Sequence, residues 1–243
     1  MSAGRALVTG GASGIGRAAV ARLRADGYRV AALDRDAATL DAVEADVRGV
    51  ADVTDPDGLD AAIEQAVAAL GGLDVVVASA GIAGHGTVVD TPLDDWDATF
   101  AVNVRGVYLT ARATIPHLEA AGGGSFIAIA SQLAMVGVPA SAAYCASKGA
   151  VVNLVRAMAI DHGPAGVRVN CVCPGPTETP LLDRFFAATA DPAATRVAFA
   201  AMQVHGRMVE PEEIADAIAY LASPGAGSTT GHALVVDGGY IIR

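Results

Sequence analysis

Tyr144 and Lys148 stand four residues apart in Tyr144-Cys145-Ala146-Ser147-Lys148. On a helix that spacing puts both side chains on one face, one turn apart. A free phenol titrates at about pH 10, too high for an efficient base at neutral pH. An ammonium beside it favours the phenolate, lowers that value and poises the group for proton transfer. The same pair also occurs as an ordinary surface contact, so its meaning depends on its company. Ser131 comes thirteen residues earlier, at the end of the apolar run Phe126-Ile127-Ala128-Ile129-Ala130. A hydroxyl at the carboxyl edge of such a strand can donate to a carbonyl oxygen as charge develops on it. It is equally suited to capping a turn.

Near the other end of the chain, Thr9-Gly10-Gly11-Ala12-Ser13-Gly14-Ile15-Gly16 follows an apolar run and opens an amphipathic stretch. Glycines permit a tight turn and a close approach of backbone to phosphate, and a helix N-terminus adds unpaired N–H donors. Gly10, Ser13, Gly14, Ile15 and Gly16 are therefore candidate cofactor contacts. The spacing Gly-x-x-x-Gly-x-Gly differs from the commoner Gly-x-Gly-x-x-Gly fingerprint. Asp34, eighteen residues beyond Gly16, ends the next apolar run. A carboxylate there can accept from both ribose hydroxyls and repels a 2′-phosphate, which favours NAD over NADP. Two alternatives stay open. Asp34 and Asp36 both suit a helix N-cap before Ala37, and Arg35 would grip a 2′-phosphate if it turned inward.

The elements that must position these residues alternate along the chain. Strands are expected at Arg5–Thr9, Arg29–Leu33, Gly49–Val53, Leu73–Ala78, Ser125–Ala130, Val167–Val172 and Ala233–Val236. Helices are expected at Ile15–Asp26, Pro56–Leu70, Asp94–His117, Ala143–His162 and Glu210–Leu221. Strands such as Val75-Val76-Val77 are apolar throughout, the pattern of a parallel sheet covered on both faces. The reading is one α/β domain over residues 1–243, a doubly wound seven-stranded parallel sheet with helices on both faces. Residues 174–208 carry no strand signal and read as a substrate-binding lid.

Of the 243 residues, 53% are hydrophobic and 17% charged, enough for a large core. The formal net charge of −10 makes nucleic acid and membrane surfaces poor partners. The N-terminal residues do not read as a secretory leader. Three cysteines, Cys145, Cys171 and Cys173, suit a reducing cytoplasm better than a disulfide framework. Cys171 and Cys173 share one face of a strand, and without a second Cys/His cluster they read as core packing; no metal is expected.

Thr9–Gly16, Asp34, Asp52-Val53, Asn103-Val104-Arg105-Gly106, Ser131, Tyr144-x-x-x-Lys148, Pro174-Gly175 and Val236-Asp237-Gly238-Gly239 occur in that order. Together they resemble the short-chain dehydrogenase/reductase family over essentially the whole chain. The resemblance implies a Rossmann-type fold and an NAD-dependent oxidoreductase that interconverts a secondary alcohol and a ketone. It implies that Tyr144 is the general acid/base, that Ser131 stabilises the substrate oxygen, and that Lys148 holds the nicotinamide ribose. Asn103 would support a proton relay, Asp52 would meet the adenine amino group, and Val53 would pack its ring. Ala80 would approach the adenosine ribose; Pro174, the Thr177 backbone and the Thr179 hydroxyl would orient the carboxamide. A homotetramer is implied as well. One departure is visible: the family pattern Asn-Asn-Ala-Gly stands here as Ala78-Ser79-Ala80-Gly81, losing an Asn that ties neighbouring strands.

On the substrate side, Gln132 is either a hydrogen-bonding partner of the substrate or a solvent-exposed turn residue. Phe185 and Phe186 either line a pocket or belong to a short helix packed on the body. His85 and Met135 are further wall candidates. The expected substrate is a small secondary alcohol or ketone, such as a cyclic alcohol, a polyol or a hydroxysteroid. The alternatives are a 3-oxoacyl-thioester reductase using NADPH and a catalytically idle nucleotide binder.

Overall fold

A computed structural model describes residues 4–243. Seven parallel strands, β1 Arg5–Thr9, β2 Arg29–Asp34, β3 Val47–Val50, β4 Val75–Ala78, β5 Gly124–Ile129, β6 Val167–Pro174 and β7 Ala233–Val236, pair in the order β3-β2-β1-β4-β5-β6-β7. Nine α-helices connect them among the described residues: α1 Gly14–Ala25, α2 Ala37–Asp41, α3 Pro56–Leu70, α4 Leu93–Phe100, α5 Gly106–Ala120, α6 Ala142–His162, α7 Pro180–Ala187, α8 Pro192–Ala201 and α9 Pro211–Ala222.

The apolar strands follow from burial on both faces. Leu7, Val76, Phe126 and Ala128 point into one core with α3, α5 and α6. Their neighbours Ala6, Val8, Val75, Val77, Ile127 and Ile129 point into a second core with α1 and α9. Successive side chains leave a strand on opposite faces, so a sheet covered on both sides needs apolar residues at every position. The chain leaves β1 toward β2 on one side, while β4 lies on the other. That reversal makes the carboxyl ends of β1 and β4 the expected ligand crevice.

Several boundaries differ from expectation. The third strand runs Val47–Val50 rather than Gly49–Val53, because the Asp52 carboxylate accepts from the Thr54 N–H at 2.8 Å and turns the chain out of the sheet. The fourth strand begins at Val75 rather than Leu73. The helix expected at Asp94–His117 is interrupted by a π-turn at Ala101–Arg105 and continues to Ala120. Such turns recur at functional sites, and this one contains Asn103. Residues 174–208 contain α7 and α8 rather than an irregular loop. No helix among the described residues is long and apolar enough to cross a membrane.

The hydroxyl of Thr9, a residue 1% exposed, has no hydrogen-bond partner. Its neighbour across the β1–β4 pair is Ala78, where the family pattern carries Asn. An unpaired buried hydroxyl costs about 1–3 kcal/mol. Thr9→Val is therefore expected to raise stability by about 1 kcal/mol, a gain of ~2–4 °C in Tm. Thermal unfolding checks this; a lower Tm would mean that the hydroxyl is satisfied.

Candidate active site

A cavity of about 660 Å³ runs along the carboxyl edge of the sheet, from Asp34 at one end to Arg184 at the other. At the first end, the turn after β1 packs tightly. A Cβ on Gly16 would lie 2.0 Å from the Gly10 carbonyl oxygen, and one on Gly14 would lie 3.1 Å from Thr179 Cγ2. The glycine turn thus lies against the start of α1 and against the segment after β6. Helix α1 has no side-chain cap at Ser13 and no acidic residue in its first turn. Its N-terminal N–H donors are left for an anion, and the residues present fit a nucleotide pyrophosphate.

The two acids after β2 divide the roles foreseen for them. Asp36 caps α2, its Oδ1 accepting from the Thr39 N–H at 3.2 Å. Asp34 turns back to the glycine turn, Oδ2 accepting from Ala12 N–H at 3.0 Å and Oδ1 from Asp36 N–H at 3.1 Å. It lines the cavity beside Asp52, Val53 and Ala80. Arg35 is exposed at the same end and lines the cavity too.

At the middle of the cavity Ser131 stands two residues beyond the end of β5. Its Oγ accepts from the Leu133 N–H at 3.1 Å, capping a short turn, and its hydroxyl faces the Tyr144 phenol. Both roles foreseen for this serine are therefore compatible. Tyr144 and Lys148 occupy the first two turns of α6 and line the same cavity. Lys148 is 4% exposed, and its Nζ donates to the Ile129 carbonyl at 2.8 Å. The same Nζ lies 5.6 Å from the Tyr144 ring centroid.

Burial pushes the Tyr144 phenol up to about 12, the hydrogen bond from Ser131 opposing the rise. Burial also pushes Lys148 down to about 8. The lowering expected from a neighbouring ammonium is thus outweighed here by burial. Desolvation penalises both charged forms, and the ammonium points at a backbone carbonyl rather than at the phenol oxygen.

Asn103 is fully buried behind this wall. Its Nδ2 donates to the Ile82 carbonyl at 2.9 Å and to Ser147 Oγ at 3.1 Å, while Oδ1 accepts from the Ile82 N–H at 2.9 Å. A Cβ on Gly81 would lie 3.5 Å from Asn103 Oδ1 and 3.6 Å from Lys148 Nζ, so the two groups border one small space. Asn103 and Gly16 stand behind the cavity wall rather than on it.

Pro174, Thr177 and Thr179 line the cavity opposite α6. The Thr177 hydroxyl donates to the Gly175 carbonyl at 2.8 Å and that of Thr179 to the Thr177 carbonyl at 3.2 Å, which shapes this segment. Phe185 lines the cavity, 5.6 Å centroid to centroid from Phe199, while Phe186 is 3% exposed and packs edge-on against Phe199 at 5.2 Å. Phe185 is thus a pocket residue, and both rings belong to a short helix, packed on α8. His85 lines the wall and Met135 does not. Gln132 lines the cavity too, but it is 4% exposed rather than a solvent-exposed turn residue, and its Oε1 has no partner. Val138 and Tyr240 join the wall without having been foreseen. The signal for Tyr240 lay in Asp237-Gly238-Gly239: Asp237 accepts from Gly239 and Ile241 N–H at 2.8 and 2.9 Å and folds the C-terminus back.

A family model described as enoyl-(acyl carrier protein) reductase matches residues 10–241. The chain is 39% identical to 2-(R)-hydroxypropyl-CoM dehydrogenase of Xanthobacter autotrophicus, over 97% of each chain. It is also 39% identical to cis-4-hydroxycyclohexanecarboxylate dehydrogenase of Sinomonas cyclohexanicum, over 97% of this chain and 95% of that one. Among solved structures, 3-ketoacyl-(acyl-carrier-protein) reductase of Brucella melitensis complexed with NADH superposes with a TM-score of 0.90 at 36% identity, over 98% of each chain. The chain belongs to the short-chain dehydrogenase/reductase family and is a nicotinamide-dependent oxidoreductase of alcohols and ketones.

Proposed function

We propose that this protein is an NAD-dependent dehydrogenase of a small secondary alcohol, with Tyr144 as general acid/base. The observation that carries the reading is one cavity holding Asp34 at one end and Ser131, Tyr144 and Lys148 at its middle. When bound, the nicotinamide accepts a hydride from the alcohol carbon or returns it to the ketone. The N-terminus of α1 holds the pyrophosphate, Asp34 the adenosine ribose, and Asp52, Val53 and Ala80 the adenine side. Pro174, Thr177 and Thr179 orient the carboxamide, and Lys148 the second ribose. In alcohol oxidation Tyr144 takes the hydroxyl proton at its phenolate oxygen; in ketone reduction the phenol gives it back. Ser131 turns its O–H from the Tyr144 phenol to the substrate oxygen, where charge develops. Asn103, behind the wall and bordering the same small space as Lys148, supports the relay by which the proton leaves. Gln132 and Phe185 face the substrate, under a lid formed by residues 174–208.

Asp34 favours NAD, and the NADH complex of the Brucella melitensis relative supports the same choice. Titration of the purified protein with NADH and NADPH, read by nicotinamide fluorescence, tests it. NADH should bind at least about tenfold tighter, and Asp34→Ser should narrow the ratio by about as much. Tighter binding of NADPH by the wild type would overturn the assignment. Reduction of a 3-oxoacyl thioester is the activity named for that same relative. A net charge of −10 disfavours it here, because an acidic carrier needs a basic docking face. Cytoplasmic location and a homotetramer through α5 and α6 complete the proposal; Tyr108 and Ile160 on those helices are 50% and 77% exposed.

The pH profile tests the Tyr144–Lys148 pair. Phenolate with ammonium, and phenol with amine, hold the same number of protons, so they titrate as one species. Lys148 at about 8 gives the first proton loss of the pair. In the oxidation direction kcat/KM should rise about tenfold per pH unit below that value and level off above it. Lys148→Met should move the break upward by more than about one unit. A profile flat through the region, or one unmoved by Lys148→Met, would refute the assignment.

A further inference from the structure

The cavity is electrically asymmetric. Its acidic wall residues, Asp34, Asp36 and Asp52, all stand at the nucleotide end. The walls around Tyr144 and beneath α7 carry none, in a protein whose formal net charge is −10. That half is built from apolar surface, with Phe185 and Phe199 5.6 Å apart and His85 6.0 Å from Phe185. Arg184 lines it as well.

Other arginines nearby are spoken for. Arg196 is held by Glu178 and Asp183, and Arg207 by Glu213. Arg184 has no acidic partner among the described residues, although it sits on the same helix as Asp183. Beside Ser131, Gln132 is buried with an amide oxygen that no protein group satisfies. Buried polar groups are normally paired, so this acceptor calls for a donor on the ligand, such as a hydroxyl, and not for its anionic end. Arg184 is exposed on the lining of this acid-free half, and a guanidinium there is the standard recognition group for a carboxylate or a related oxyanion.

We propose that Arg184 receives an anionic group, a carboxylate or sulfonate, at the end of the substrate remote from the reacting carbon. The preferred substrate is then a hydroxy or oxo acid anion rather than a neutral alcohol or polyol. The inference rests on the reading of this half of the cavity as the substrate site. Its apolar stretch between Tyr144 and Arg184 takes the carbon skeleton, and the absence of wall carboxylates removes the repulsion that would reject an anion.

The test uses matched pairs: hydroxycyclohexanecarboxylates and hydroxyalkanesulfonates, each beside its methyl ester or amide. Wild type should prefer the anion by at least about tenfold in kcat/KM, and the preference should shrink as salt is raised. Arg184→Gln should cut the anion-over-neutral ratio about tenfold, chiefly through KM; Arg184→Lys should restore part of it. A wild type that prefers the neutral member, or a ratio unchanged in Arg184→Gln, overturns the proposal. If no pair is turned over, the proposed reaction fails, and calorimetric titration with cyclohexanecarboxylate decides the anion site separately. Binding weakened about tenfold by Arg184→Gln would uphold the site, and equal binding in the two proteins would overturn it.

Discussion

Tyr144→Phe is expected to lower kcat for alcohol oxidation by about 10²–10⁴-fold while leaving nucleotide affinity within about threefold of wild type. The substitution keeps the ring and its packing beside Lys148, whose Nζ lies 5.6 Å from the centroid. It removes only the oxygen proposed to exchange the proton. The phenol, half-buried on the cavity wall, holds its proton up to about 12, and water in its place is a far weaker partner for the proton. The cost to stability is small by comparison, about 1 kcal/mol for one hydrogen bond with Ser131. Stopped-flow turnover and a fluorescence titration with NADH separate the two effects. Activity retained in the variant would remove Tyr144 from the mechanism; loss of nucleotide binding in parallel would make its role structural.

The second large effect is expected at Gly16. Alanine within a helix ordinarily gains about 1 kcal/mol over glycine. At this position the added Cβ would lie 2.0 Å from the Gly10 carbonyl oxygen, and both atoms belong to backbone that cannot swing aside. The strain of such overpacking is about 1–3 kcal/mol or more, and it wins over propensity. Gly16→Ala should therefore lower Tm by ~4–8 °C, and it should weaken NADH binding by at least about tenfold, because the displaced turn carries the N–H donors aimed at phosphate. Gly163→Ala is the control: nothing lies within 4 Å of its Cβ, so a change of less than about 1 kcal/mol is expected. Equal effects of the two substitutions would show that the clash at Gly16 is relieved without cost.

Much of the fold was legible because its signals are local. The Val75-Val76-Val77 run needs apolar neighbours on both sides, and only a covered parallel sheet provides them. The glycine turn between β1 and α1 likewise announces itself in eight consecutive residues. Boundaries were less legible where side chains redirect the backbone. Asp52 ends β3 by holding Thr54 N–H, a contact that competes with the strand ladder and leaves no periodic trace. Of the two helices of residues 174–208, the sequence leaves the first open as one reading of Phe185 and Phe186 and does not disclose the second; each spans ten residues or fewer, too short for a clear periodic signal.

Tyr144 and Lys148 illustrate where residue order stops. Their spacing alone determined that they share a helix face, and Ser131, thirteen positions earlier, could be placed at a strand end from the apolar run before it. Composition and alternation determined the class of fold, and the types of residue at these positions determined what chemistry they can do. Only the tertiary structure decided that burial, rather than the ammonium, dominates the phenol's affinity for its proton. It also decided that Asp34 faces the glycine turn while Asp36 caps the helix, and that Arg184, from a segment forty residues beyond Tyr144, lines the acid-free half of the same cavity. The reason is physical. Helix and strand periodicity act between neighbours in the chain, whereas desolvation and charge pairing act between whatever packing brings within a few ångströms.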